Sequence, residues 1–172
     1  VRNGALGGVN PMRIGNTSYF TYYERNSANT IFEAQIWTYN HTTKEIRVAD
    51  YPLISSTNTM EEPGLYELPN GDWICYFRTS TGYVWARRST DKGLTWGTEF
   101  RLIRAGNNMS CVTRLKGFTS KLEPIYVAVH SISLVDGTGG TDNSKRQYMY
   151  LSLSKDGVNF TTMGYIYYYS QG

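Results

Sequence analysis

Cysteine, histidine, proline and long apolar runs are all scarce in this chain of 172 residues, which has two cysteines, two histidines and five prolines. Cys75 and Cys111 are too few for a disulfide framework, and two buried thiols are expected in preference to one bridge. The longest apolar run, Ile125 to Val129, is far too short to span a bilayer, so no membrane insertion is expected. Charge of one sign is lacking too. The net charge is +3 and the basic residues are scattered, which points to no nucleic-acid partner. No segment shows sustained helical periodicity or helix caps, which argues against a helical domain. There is no leader and no starting methionine, so the chain reads as a processed product or a piece of something longer. Sequons begin at Asn16, Asn40, Asn108 and Asn159, but a chain this rich in Asn, Ser and Thr produces some by chance.

Tyrosine is abundant, with fifteen copies, and Thr, Ser and Asn accompany it. That is the composition of an all-β protein whose strands carry aromatic and β-branched residues. Three hairpins share one pattern. "PMRIGNTSYFTYYE" turns at Gly15-Asn16, and "PGLYELPNGDWICYFR" turns at Pro-Asn-Gly-Asp, while "CVTRLKGFTSKLEPIYVAVH" has a longer turn. In the second hairpin Trp73, Cys75 and Phe77 alternate against Ile74 and Tyr76. The uncharged "IYVAV" predicts a strand buried on both faces. Each hairpin is followed by another, giving three four-stranded units at about 11–55, 60–105 and 109–165. The third is lengthened by an insert at 131–147, and "YIYYYS" trails behind it. Repetition of this kind predicts a β-propeller. The competing reading is an antiparallel sandwich of about twelve strands, which gives no reason for turns to recur in phase. Three blades do not close a ring, so further sequence or another chain is expected to complete it. Left open, the arc would expose two sheet faces lined with Tyr and Trp.

"STDKGLTW", with Ser89, Asp91, Gly93 and Trp96, resembles the Asp-box of sialidase-like (BNR-repeat) propellers at every defined position. "SKDGVNF", with Ser154, Asp156, Gly157 and Phe160, is similar to a shortened copy with Phe for Trp. The physical reading is structural. Hydroxyl and carboxylate satisfy the turn's own N–H groups, glycine supplies a positive φ, and the aromatic plugs the hairpin. The resemblance implies that the opposite rim carries the ligand pocket. Asn10, Glu24, Arg25, Glu61, Glu62, Arg78, Asn107, Asn108, His130 and the insert are expected on that rim.

Within that resemblance, Glu62 matches the Glu-Pro that opens an innermost strand, and Arg78 matches the Arg that closes the second. A carboxylate and a guanidinium in one crevice suit polyhydroxylated or carboxylated sugars; the alternative is an ion pair between adjacent strands. "MRIG" with "TYYER" is similar to the start of true sialidases, which makes Arg13 a candidate for the sugar carboxylate, although Gly15 replaces the family's proline. Tyr83 is the one strand aromatic assigned a ligand contact, whereas Trp85 and Arg87 are read as ordinary strand positions. His41 is expected to be solvated and His130 to be held structurally. Asp136 and Asp142 could ligate a cation or a sugar hydroxyl, or lie on bare loop surface. No metal and no cofactor is expected. No Asp lies between Arg13 and Val48, where the family places its acid/base. A complete hydrolytic site is therefore not expected. The resemblance implies a glycan-binding module, outside the cell or on a virion as in phage receptor-binding domains. The alternatives are a glycosidase completed elsewhere and a structural propeller.

Overall fold

The computed structural model describes residues 3–6, 10–25, 32–48, 51–106, 110–115, 125–131 and 148–168. These residues form fourteen strands and no helix, in three antiparallel sheets. The first sheet is built on the long pair β3 (Thr17–Arg25) and β4 (Phe32–Asn40). β1 (Asn3–Leu6) and β2 (Met12–Ile14) lie in line along one side of β3. β5 (Ile46–Val48) and β6 (Ile54–Ser56) lie in line along the far side of β4. The sheet thus has four positions with both edges broken.

The second sheet runs in chain order through β7 (Glu61–Glu67), β8 (Trp73–Arg78), β9 (Tyr83–Ser89) and β10 (Phe100–Arg104). The third does the same through β11 (Cys111–Leu115), β12 (Ile125–Ser131), β13 (Tyr148–Ser154) and β14 (Thr161–Tyr168). Among the described residues, the trailing "YIYYYS" is not a separate strand. Its residues up to Tyr168 belong to β14, which pairs with β13.

The second sheet is the middle layer. Trp73, Cys75 and Phe77 pack with Ala34, Ile36 and Ile54 of the first sheet. Ile74, Tyr76, Val84 and Ala86 pack with Val112, Tyr126 and Ala128 of the third. The alternation expected for β8 is therefore realised with both faces buried. β12 behaves differently from the expectation. Tyr126, Ala128 and His130 are buried, but Val127 and Val129 are only half-buried. Among the described residues no sheet covers that second face, and cross-strand Leu151 and Leu153 share it. The outer face of the first sheet is aromatic, with Trp37 6.4 Å from Phe20 and 5.6 Å from Tyr22. In the third sheet Val127, Val129, Leu151 and Leu153 are aliphatic at this face, while β14 adds the exposed Tyr165 and Tyr167.

Tyrosines rivet the second sheet to the third. The Tyr66 hydroxyl donates to the Gly157 carbonyl (2.6 Å) and that of Tyr126 to the Glu67 carbonyl (2.7 Å). The Val112 amide donates to the Tyr76 hydroxyl at 3.2 Å. Burial pushes the Tyr126 phenol up to about 12, so it stays a neutral donor. The Cys75 thiol is likewise raised to about 12, and both cysteines are free. Cys111 is only half-buried, and its sulfur accepts from Asn10 Nδ2 at 3.0 Å.

The two Ser-Asp segments lie between the third and fourth strands of their sheets and close in the same way. Ser89 Oγ donates to Asp91 Oδ1 (2.7 Å) and accepts from the Gly93 amide (2.7 Å), while Asp91 accepts from the Thr95 amide (2.8 Å). Ser154 Oγ donates to Asp156 Oδ1 (2.8 Å) and accepts from the Gly157 amide (2.9 Å). The Val158 and Asn159 amides both reach Asp156, each at 2.8 Å. Gly93 and Gly157 have φ of 93° and 77°, which a side chain would resist. Trp96 packs against the core between the first two sheets, and Phe160 against the core between the second and third. Each plug therefore seals its own sheet to the preceding one. In the first sheet Asn40 takes over this work, its Oδ1 accepting from the Thr42 (2.8 Å) and Thr43 (3.1 Å) amides.

Two outcomes follow from this packing. Gly64 faces Tyr76 so closely that an added Cβ would lie 2.4 Å from its ring. Gly64→Ala should therefore cost roughly 1–3 kcal/mol and lower Tm by roughly 2–12 °C in a thermal melt. An unchanged melt would contradict the packing. The donors around Asp91, led by Thr95, hold its carboxyl at about 2, against 3.8 for the ordinary group. The unfolded chain then takes up this proton more readily, so the contribution is complete above about pH 4 and is lost as pH falls towards 2. Urea unfolding at about pH 7 and about pH 3 should show wild type losing more stability on acidification than Asp91→Asn. Equal losses would contradict it.

Candidate functional site

Because every sheet runs from an inner to an outer strand in the same sense, β7 begins on the rim opposite the Ser-Asp turns and β8 ends there. Glu61 and Arg78 are register partners, with a bulge between Glu61 and Gly64. Glu62 sits in that bulge at φ 49°, a left-handed conformation that a non-glycine residue adopts at some cost. The following carbonyl, that of Pro63, accepts from the Thr21 hydroxyl of the first sheet, which anchors the bulge across the interface. Arg78 Nη2 bonds Glu61 Oε2, and Arg78 Nη1 lies 3.3 Å from Glu62 Oε1. All three side chains are about four-fifths buried, at 17%, 18% and 23% exposure. This is the ion-pair arrangement. Two carboxylates thus meet the one guanidinium.

Tyr83 opens β9 near the same rim, but the Arg101 guanidinium sits 4.5 Å from its ring centroid and 5.6 Å from that of Trp85. Arg101 comes from β10, where it is the register partner of Trp85. One face of Tyr83 is thus already covered by a cation, a contact the sequence reading missed.

Arg13 lies elsewhere. It lines a cleft of about 140 Å³ where the innermost strands β2, β7 and β11 converge, together with Asn10, Glu67, Thr113 and Arg114. Leu65, Tyr66 and Glu67 are the last residues of β7, so this cleft opens along the half of the strand away from Glu62. Arg13 Nε donates to the Gly15 carbonyl at 3.2 Å, which steadies its exposed side chain. Two guanidinium groups against one carboxylate make the cleft net positive. Asn10, expected on the Glu62 rim, lines this cleft instead. Glu67, Thr113 and Arg114 were not singled out from the sequence, since each reads locally as an ordinary strand residue.

Both histidines are held by serines. His130 is buried, with Nε2 2.8 Å from Ser152 Oγ, which is 3.0 Å from Thr162 Oγ1. Burial lowers its pKa, partly opposed by the Ser131 backbone. It lies at the end of β12 and is held structurally, as expected, with its side chain turned into the sheet packing. His41, expected to be solvated, has Nε2 2.8 Å from Ser18 Oγ and packs its ring 4.8 Å from that of Tyr39. Asn107, Asn108, Asp136, Asp142 and residues 132–147 of the insert lie outside the described residues, as does the side chain of Arg25. Among the described residues no group of three His, Cys, Asp or Glu side chains is placed to hold a metal ion.

No protein-family model matches the chain, and no curated protein matches it. Solved structures do. Trypanosoma rangeli sialidase in complex with 2,3-difluorosialic acid matches with a TM-score of 0.63 and 15% identity, over 91% of this chain and 24% of that one. A mutant of the same sialidase displaying trans-sialidase activity matches with a TM-score of 0.64 and 13% identity, over 88% of this chain and 23% of that one. A Dyadobacter fermentans protein of unknown function matches with a TM-score of 0.50 and 14% identity, over 85% of this chain and 48% of that one. The chain spans about a quarter of the length of the sialidases. At these identities the likeness is one of fold. The three sheets stack as in part of a sialidase-like β-propeller.

Proposed function

We propose that the chain is a carbohydrate-recognition module that binds an acidic saccharide in the cleft between its innermost strands. The observation that carries this reading is the convergence of Arg13 and Arg114 on a cleft of about 140 Å³ also lined by Glu67, Asn10 and Thr113. A guanidinium presents a planar fork that matches a carboxylate, and two of them favour a ligand bearing negative charge. The Thr113 hydroxyl and the Glu67 carboxylate are suited to sugar hydroxyl groups, and Asn10 is fixed in place by Cys111. The cleft is small enough to take the charged end of a saccharide and leave the rest outside. In this reading the Glu61–Glu62–Arg78 cluster holds the bulge and contacts no ligand. Recognition without cleavage also agrees with the absence of an Asp between Arg13 and Val48. Such a module would act at a cell or virion surface, with the ring completed by the rest of a longer chain or by another copy.

Calorimetric titration of sialyllactose and of an oligogalacturonate tests the proposal. At least one should bind, with an affinity that falls as salt is raised. Arg13→Ala and Arg114→Ala should each weaken it by about 1.5–3 kcal/mol, roughly 10- to 150-fold. Arg47→Ala, an exposed arginine on β5 paired with Glu45, should leave it unchanged. No binding, or binding indifferent to both cleft arginines, would overturn the proposal.

A further inference from the structure

A second depression lies at the outer edge of the middle sheet, away from the innermost strands. Trp85, Arg87, Trp96, Thr57, Asn58 and Glu99 are among its lining residues, and its volume is about 720 Å³. Three separate stretches build it: β9, the segment after the Ser-Asp turn, and the connection from the first sheet to the second.

The polar groups of this groove are set before any ligand arrives. Glu99 accepts from Ser56 Oγ (2.9 Å), the Thr57 amide (2.8 Å), Thr57 Oγ1 (3.2 Å), Asn58 Nδ2 (3.0 Å) and Arg87 Nη2 (3.2 Å). Burial alone would raise the Glu99 pKa, but these donors outweigh it and leave it lowered, so the carboxylate stays charged opposite Arg87. Arg87 Nη1 is also held by the Gly97 carbonyl at 3.2 Å. Trp85 is fixed from two sides, its Nε1 donating to Thr81 Oγ1 at 2.7 Å and its ring lying 5.6 Å from the Arg101 guanidinium. Rigid aromatic side chains among pre-placed hydrogen-bonding groups lose little freedom on binding.

The chemistry of the lining selects the ligand. Trp85 and Trp96 are half-buried against the core, and the indole area they leave in the groove suits the C–H faces of pyranose rings, while threonine and asparagine side chains suit hydroxyl groups. Arg87 and Glu99 neutralise each other across 3.2 Å, so the groove carries no net charge and would not select an acidic ligand. It is open and shallow, which suits a chain of sugars rather than one terminal residue. Trp96, Gly97 and Thr98 also border a neighbouring depression of about 560 Å³ with Arg88, Thr90 and Phe100, which lengthens the track. We propose that the Trp85–Trp96 groove is a second saccharide site, which binds a neutral oligosaccharide along the outer edge of the middle sheet. It stands on its own residues and is independent of the acidic-saccharide reading of the inner cleft.

The test titrates the intact chain with cellohexaose, xylohexaose and chitohexaose, read by intrinsic tryptophan fluorescence and by calorimetry. At least one should bind saturably and perturb tryptophan emission. Trp85→Ala should weaken that binding about tenfold or more, the upper range for loss of one aromatic contact. Because Trp85 also packs against the core, a second variant leaves the packing alone. Thr98→Arg, at an exposed position, should block the track to a similar extent with an unchanged thermal melt. Ile46→Ala, on an exposed edge of the first sheet, should bind as wild type. Saturating sialyllactose should not displace the hexasaccharide. Displacement would put the hexasaccharide in the inner cleft and overturn the proposal. Failure of all three hexasaccharides to bind at about millimolar concentration, or binding that survives both variants, would overturn it as well.

Discussion

Burial of β8 on both faces is the constraint on which the rest of the molecule depends. Trp73, Cys75 and Phe77 must be covered from one side, and Ile74 and Tyr76 from the other. Each large apolar side chain taken from water contributes about 1.5–3 kcal/mol, so leaving either face bare would cost most of what a domain of this size can offer. Two sheets flanking a third satisfy the strand. The tyrosine hydroxyls then turn an apolar contact into a registered one, because Tyr66, Tyr76 and Tyr126 each find a backbone partner across the second interface. Gly64 belongs to the same arrangement, since only a residue without a side chain lets the Tyr76 ring lie across β7.

The stacking also decides where chemistry can occur. With all sheets running from inside to outside, the three first strands meet and bring Arg13, Glu67 and Arg114 to one cleft. The third-to-fourth turns are thrown to the periphery, where Trp96 and Phe160 seal one sheet against the one before it. The same turn leaves Trp96 beside Trp85 in an open groove. One structural device thus closes the fold and shapes a surface.

Local patterns made much of this legible from the sequence. The alternation in "WICYF" gave the two-faced strand, and the Ser-Asp turns gave the phase of the repeat and hence its polarity. Features that depend on long-range placement were not legible. Nothing in "NGAL" announces a strand that continues the line of β2, and "IYVAV" does not say that only one of its faces will be covered. Arg114 and Glu67 look like any strand residues until three sheets bring them beside Arg13. Glu62 and Arg78 were expected on one rim, as a sugar crevice or as an ion pair, but the bulge and the φ of 49° at Glu62 are not spelled out by the Glu-Glu-Pro-Gly stretch. Strand counting put His130 at the end of β12 and a structural role was expected for it, but its serine partner lies on β13 and could not be read locally.

Native-state hydrogen exchange tests the central claim most directly, because it reads which strands the whole structure must open to expose. If β8 is the layer held from both sides, amides of Trp73 to Phe77 should be among the slowest to exchange and should open only with global unfolding. Amides of β5 and β14, at the edges of the outer sheets, should exchange much faster. Amides of β8 that exchange as readily as those of β14 would contradict the account, because the middle sheet would then not be the element that holds the other two.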